Sequence, residues 1–172
     1  VVALTIHGAN WIIFKTNSDL NQKLKKVIFN LNFVMLALVI ISLFSWHIIE
    51  PKPFHNFIER PWLWIFPLIA FTGLFGLFKV KSFKKDGVGF LFSSLFLFGG
   101  LTTTVASIFP KVLPSTNDVN PSLTLYNVAA HEYGLSVGVY WFVIAAILVA
   151  VYMFVQYRIF KGKMDDVGYG EH

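Results

Sequence analysis

The chain has 172 residues, of which 56% are hydrophobic and only 13% are charged, and its mean hydropathy is +0.65. This balance excludes an ordinary soluble domain, in which about a quarter of the residues are charged, and the absence of cysteine excludes disulfides and thiolate chemistry. The formal net charge of +5 does not indicate nucleic-acid binding, because the basic residues flank apolar runs and form no single basic face.

The chain opens on a short apolar stretch, Val1–Ile6, without an initiator methionine. A segment of this length cannot cross a bilayer, which takes about 20 apolar residues. We therefore expect this stretch to be the end of a preceding helix. On that interpretation, residues 1–172 form a single transmembrane domain, the C-terminal half of a longer subunit.

Four long apolar runs follow and predict four transmembrane helices. Each run is long enough to cross a bilayer, which requires roughly 17–25 residues, and none contains Asp, Glu, Lys or Arg. The runs are Val27–Ile48, Trp62–Phe78, Val88–Phe109 and Ser136–Tyr157. The predicted fold class is therefore all-α: a polytopic transmembrane helical bundle with four full spans plus the end of a preceding helix.

The basic residues are divided unevenly among the gaps between these runs. Eleven of the fourteen lie in every second gap, and the other gaps hold only Lys52, Arg60 and Lys111. Short loops rich in Lys and Arg stay on the inner side of the membrane. We therefore expect a multi-pass protein of the plasma membrane with its C-terminus inside. The eleven residues are Lys15, Lys23, Lys25, Lys26, Lys79, Lys81, Lys84, Lys85, Arg158, Lys161 and Lys163.

Small residues in the third and fourth runs predict close contacts between helices. In lipid, where apolar burial gives little advantage, small side chains let two helix backbones approach each other. We assign this packing role to Gly99, Gly100, Thr103, Thr104, Ser107, Gly134 and Gly138.

Two other functions remain open on the residues alone. A small membrane cytochrome could ligate haem through His47 and His131, which lie near the outer ends of the first and last runs. Half of a transporter or permease is the second possibility, because Pro67, Gly73 and Gly76 could break a helix near the bilayer midplane. The absence of charged residues from all four runs disfavours a complete proton path.

Three segments carry a resemblance to a known family. The segment His7–Trp11, followed by Phe14–Thr16 and Leu20, resembles the inner segment of cytochrome bd-type quinol oxidase subunit II. The segments Phe109–Ser115 and Pro121–Asn127 resemble the outer segment that precedes the last helix in the same family. The order and spacing of these segments, together with the four runs, match the C-terminal half of that subunit, so the resemblance covers essentially the whole chain.

The resemblance implies a role in a bacterial quinol:O₂ oxidoreductase. Enzymes of that family oxidise membrane quinol, reduce O₂ to water and build a proton-motive force without pumping. Their b-type and d-type haems belong to subunit I, and subunit II is a haem-free partner whose acidic residues for proton entry lie in its N-terminal half. We therefore expect this chain to hold no catalytic residue, no metal and no haem, although some members hold a structural quinone in this subunit. Expected partners are the haem-bearing subunit I, membrane lipid, the quinone pool and small accessory subunits.

Overall fold

The computed structural model describes residues 1–17, 19–49, 54–80, 85–113, 115 and 122–165. Among these residues, four helical segments are long and apolar enough to cross a membrane: Leu20–Ile49, Pro61–Lys79, Gly87–Ile108 and Glu132–Ile159. They overlap the four predicted runs, and the all-α transmembrane class is confirmed. Five residues that belong to the predicted features lie outside the described residues: Lys52, Lys81, Lys84, Pro114 and Pro121.

Short elements connect the long helices. In chain order the elements are α1 (Val2–Lys15), β1 (Thr16–Asn17), α2 (Leu20–Ile49), α3 (His55–Glu59), a 3₁₀ turn (Pro61–Trp64), α4 (Ile65–Lys79), α5 (Gly87–Ile108), β2 (Lys111–Leu113), β3 (Leu123–Thr124), α6 (Leu125–Val128), α7 (Glu132–Ile159) and β4 (Met164–Asp165). The chain divides into two compact units. Unit 1 comprises Val1–Ile108 with the segment from Lys163, and unit 2 comprises Phe109–Gly162.

The core of unit 1 lies where α1, α2 and α4 meet. Ile6 of α1 and Leu74 of α4 are completely buried, and Met35 of α2 is almost so. Each of these helices also carries large apolar residues that are exposed, such as Ile41 on α2 and Leu68 on α4. Exposed apolar faces on long helices are what a lipid environment requires.

Glycines bring α4 and α5 together backbone to backbone. A Cβ atom added at Gly73 would lie 2.4 Å from the backbone nitrogen of Phe96, and one added at Gly99 would lie 2.4 Å from that of Ala70. Any larger residue at either position would force the two helices apart, because neither backbone atom can move away like the end of a flexible side chain. Both helices run without a break through these glycines.

The short helix α3 packs against the C-terminal end of α5. The side-chain amide of Asn56 in α3 donates to the carbonyl oxygens of Ala106 and Ser107, at 2.9 and 3.1 Å. These carbonyls belong to the last turn of α5, where the helix itself offers no donor. Phe57 is buried beside them and packs against the ring of Trp64. Helix α3 therefore supplies donors that the last turn of α5 lacks.

Unit 2 contains a strand pair and the last long helix. Strands β2 and β3 pair antiparallel, and a cis peptide bond joins Phe109 to Pro110 just before β2. Helix α6 begins with a capping box in which Thr124 and Asn127 exchange side-chain and backbone hydrogen bonds. Helix α7 has Glu132 in its first turn and Arg158 in its last, charges that favour the helix dipole at both ends.

Candidate functional site at the basic end of unit 1

A group of buried and charged side chains of unit 1 lies at one end, where α1, α2 and the start of α5 meet. We call this region the basic end and define it by Lys25, Lys85, Asp86 and Lys163. The segment that resembles the quinol oxidase subunit lies on α1 beside it. This region is the candidate functional site because it combines buried polar groups, an ion cluster and a cavity.

His7 joins α1 to α5 through a buried serine. Its Nδ1 lies 2.9 Å from the hydroxyl of Ser93, which is only 2% exposed, and its ring stacks on Phe90 with centroids 4.6 Å apart. The Ser93 hydroxyl is also 2.9 Å from the carbonyl oxygen of Phe90. A hydroxyl has one hydrogen, so when Ser93 donates to that carbonyl, His7 must carry its proton on Nδ1 and donate to Ser93.

Aromatic rings extend this contact toward the basic end. Trp11 packs against Phe90 with centroids 4.9 Å apart, and Phe14 lies next to Trp11. The ammonium group of Lys15 sits 5.4 Å from the Trp11 ring, within the range of a cation–π attraction. The His7–Trp11 segment therefore serves to attach α1 to α5.

Asn10 is buried at the same junction. It is 3% exposed, and its amide nitrogen donates to the carbonyl of Ile6 at 2.8 Å. A Cβ atom at Gly89 of α5 would lie 2.1 Å from the Asn10 side-chain oxygen. Gly89 thus leaves the space that the Asn10 side chain occupies.

Asn32 is the polar side chain buried deepest on α2. It is 1% exposed, and its amide nitrogen donates to the carbonyl of Leu77 at 3.3 Å. Leu77 lies in the last turn of α4, whose carbonyls lack donors within the helix. The other amide atom, Oδ1, has no hydrogen-bond partner among the described residues.

Asp86, just before α5, forms ion pairs with two lysines. Its carboxylate accepts hydrogen bonds from Lys163 and from Lys25, the latter at 3.1 Å. The Lys163 hydrogen bond, with a smaller contribution from Lys25, holds the pKa of Asp86 below its ordinary value, and partial burial only partly opposes this. The parallel pairing of β1 with β4 fixes the chain beside Lys163. The ion cluster therefore connects α2, α5 and the segment after unit 2.

A cavity of about 190 Å³ opens among these groups. Its walls include Asn10, Asn32, Lys25, Lys85 and Asp86, together with apolar residues of α1, α2 and α4. Of its polar wall residues, Asn10 and Asn32 are buried, whereas Lys25 and Lys85 are exposed.

The predicted packing residues have different environments. Gly99 lies in the tight α4–α5 contact, whereas a Cβ atom at Gly100, Gly134 or Gly138 would have no described atom within 4 Å. Thr103, Thr104 and Ser107 each donate to a backbone carbonyl of their own helix and, with Gly100, line an apolar cleft of about 550 Å³ in unit 1.

The two candidate haem ligands, His47 and His131, belong to different units. His47 is exposed in the last turn of α2, and His131 is an exposed residue that precedes α7. No cluster of three or more His, Cys, Asp or Glu that could hold a metal occurs in the part of the chain that the structure describes.

Sequence reasoning missed several residues that the site uses. The sequence indicates Gly73 and Gly76 only as possible helix breaks, yet α4 is continuous there and both glycines face α5. Asn10 was noted only as part of the His7–Trp11 likeness. Its place four residues after Ile6, on the same helix face, was the available signal.

These features define a multi-pass helical membrane protein, with apolar helix faces, glycine-mediated packing and buried polar contacts at one end. Sequence comparison then gives the family. The profile of cytochrome bd terminal oxidase subunit II matches residues 1–160, and the chain belongs to that family.

One curated relative supports the same assignment. The chain is 26% identical over 187 aligned positions to a protein of Haemophilus influenzae described as probable cytochrome oxidase subunit 2, and the alignment covers 94% of this chain. The chain spans about half the length of that relative, 50%. The recognition of the family from the three sequence segments is thus confirmed.

Proposed function

We propose that this chain supplies the C-terminal helices of the haem-free subunit of a quinol:O₂ oxidoreductase. The observation that carries the proposal is the family match, which runs through all four long helices to residue 160. In this role the chain performs no chemistry itself. It stabilises the haem-bearing subunit I and keeps lipid and bulk water away from the haems.

The residue chemistry of the chain supports a structural role. None of the four apolar runs contains Asp, Glu, Lys or Arg, whereas membrane segments that move protons place ionisable groups at depth. His47 and His131 are both exposed and belong to different units. We therefore assign the b-type and d-type haems to subunit I and assign no catalytic residue to this chain.

We propose that some of the packing residues make contacts within the chain and that others make contacts with the partner. Gly99 is used inside unit 1, where it faces Ala70. Gly100 is its neighbour on α5 but has open space, so Gly100 makes no close contact with the described residues of unit 1. We propose that Gly100 with Thr103, Thr104 and Ser107 accepts a helix of the complex, and that Gly134 and Gly138 do so on α7.

The test is to purify the full-length parent subunit from its native host in mild detergent. We expect a larger haem-bearing partner, a reduced-minus-oxidised haem spectrum and quinol:O₂ oxidoreductase activity in the same fraction. A haem-free preparation without that partner would contradict the proposal, and haem on this subunit alone would restore His47 and His131 as ligands. The variant Gly100→Leu should lower recovery of the partner, because a bulky residue keeps two helices apart. Gly8→Leu, which also meets open space, is the control.

The proposed location is the bacterial plasma membrane, with the basic end facing inward. A cysteine placed at Lys85 should be protected from an impermeant thiol reagent added to intact cells, and one placed at Ser115 should react. The chain has no native cysteine to interfere. The opposite labelling would reverse the orientation.

A further inference from the structure

The cavity at the basic end has an unusual lining for a space within a transmembrane bundle. It holds about 190 Å³, and five of its wall residues are polar or charged. Two of them, Asn10 and Asn32, are 3% and 1% exposed. The remaining three are more open to solvent: Lys25 and Lys85 are exposed, and Asp86 is partly exposed.

The orientation of the Asn32 amide is fixed by its neighbour. Its nitrogen lies 3.3 Å from the carbonyl oxygen of Leu77. Exchanging the nitrogen and oxygen would bring two acceptors together, so the amide must point its nitrogen at Leu77. That leaves Oδ1, buried and without a donor among the described residues, beside the cavity. A buried acceptor without a donor is costly, and each such group in a native protein calls for a partner.

Size and polarity together identify the partner. An apolar cavity of about 150 Å³ stays dry, whereas a polar one fills with water when each molecule finds two to four hydrogen-bonding groups. This cavity has such groups in its wall and has room for several waters at about 30 Å³ each. A lipid tail would leave Asn32 without a donor, and the mixture of lysines with Asp86 in the wall selects no single ion.

We propose that this cavity is a water-filled inlet, in which water entering past Lys25 and Asp86 donates a hydrogen bond to Oδ1 of Asn32. Asn32 lies seven residues beyond Lys25 on α2, roughly 10 Å along the axis at 1.5 Å per residue. Water therefore reaches about two helical turns beyond Lys25, along a helix that is long and apolar enough to cross a membrane. The inlet rests on the geometry of unit 1 and stands whether or not the oxidase role is correct.

The direct test is a high-resolution structure of the unmutated complex. We expect solvent density at hydrogen-bonding distance from Asn32 Oδ1, about 2.7–3.2 Å. A cavity filled by a lipid tail, or a protein donor paired with Oδ1, would overturn the proposal.

Cysteine reactivity gives a second, independent test. Alkylation needs the thiolate, which forms only where water has access. In the folded complex in mild detergent, iodoacetamide should modify Asn32→Cys roughly tenfold faster than Ile6→Cys. Ile6 is the matched control because it is 0% exposed and lies outside the cavity wall. Labelled peptides are read by mass spectrometry, so cysteines of other subunits do not interfere.

The outcomes separate cleanly. Equal, slow modification of the two folded variants would mean that no water reaches Asn32, and the inlet would be rejected. Unfolding with detergent should make both thiols react at the same rate. Ile28→Cys, also on the cavity wall, repeats the comparison with a residue that makes no hydrogen bond, so a failure of the Asn32 variant to assemble leaves the test intact.

Discussion

The α4–α5 contact and the basic end bind helices together by opposite means. Between α4 and α5, glycines remove the side chains, and the backbones touch at Gly73 and Gly99. At the basic end, side chains bridge the helices: His7 reaches Ser93, and Asn32 reaches Leu77. The first contact leaves no space, whereas the second leaves a cavity of about 190 Å³.

The difference teaches what each kind of contact depends on. In a bilayer, burying an apolar side chain against another helix gains little over burying it in lipid, so close backbone approach supplies the attraction. Polar side chains can bind helices at a distance, but each polar atom then requires a partner. The glycine contact should fail when volume is added, and the polar contacts should fail when groups are removed.

The largest effect is expected for added volume at Gly73. Gly73→Ala places a Cβ atom 2.4 Å from the Phe96 nitrogen and 2.7 Å from the Phe92 oxygen. Separating the two helices should destabilise the subunit by about 2–3 kcal/mol, the usual cost of overpacking. Thermal denaturation of the detergent-solubilised complex measures it. Gly8→Ala, with open space at its Cβ position, should be neutral or slightly stabilising. Equal behaviour of the two variants would show that α4 and α5 do not pack through glycine.

The next effect is expected for removal of the Asn32 amide. Asn32→Ala leaves the Leu77 carbonyl without its donor and should cost about 1–2 kcal/mol. A hydrated cavity would lower this cost, because water can replace the lost donor. Asn30→Ala is the matched control on the same helix, since the Asn30 side chain is exposed and should change stability by less than about 0.5 kcal/mol. Denaturation curves of the two variants measure the loss of stability in each. A larger loss for Asn30→Ala than for Asn32→Ala would contradict the role given to the Asn32 amide.

The sequence does not tell apart the glycines that face a neighbouring helix and those that do not, and it does not predict the cavity. The apolar runs were enough to place the helices because length and the absence of charge are local properties. The helical face that each glycine occupies is also local, but which face meets a neighbour depends on tertiary packing. Gly99 and Gly100 therefore looked alike, although only Gly99 touches α4. The cavity depends on three helices at once, so the role of Asn32 could not be derived from α2 alone.

A smaller effect is expected at the link between α1 and α5. The hydrogen bond between His7 and Ser93 should contribute about 1 kcal/mol. A double-mutant cycle with His7→Ala and Ser93→Ala isolates this coupling from the loss of the Phe90 stacking contact, which the single His7 variant also removes. A coupling free energy near zero would mean that the His7–Ser93 hydrogen bond adds nothing to the other contacts between α1 and α5.

The smallest effect is expected at the ion cluster, because its groups are partly exposed. The side chain of Asp86 is 30% exposed and that of Lys25 is 47% exposed. Asp86→Asn should therefore cost less than about 1 kcal/mol at pH 7. Asp19→Asn, which removes the same formal charge at an exposed position on the chain before α2, is the control.

The pH dependence of that small effect has a definite sign. The lysines lower the pKa of Asp86 in the folded state, so the unfolded chain takes up a proton first as the pH falls. The stabilisation is complete above the ordinary carboxyl pKa of about 4 and disappears as the pH falls through the lowered folded-state value. Melting temperatures of the wild type and Asp86→Asn should therefore differ at pH 7 and converge as the pH falls through the lowered folded-state pKa of Asp86. A difference that persists at low pH would show that Asp86 acts through packing and not through its charge.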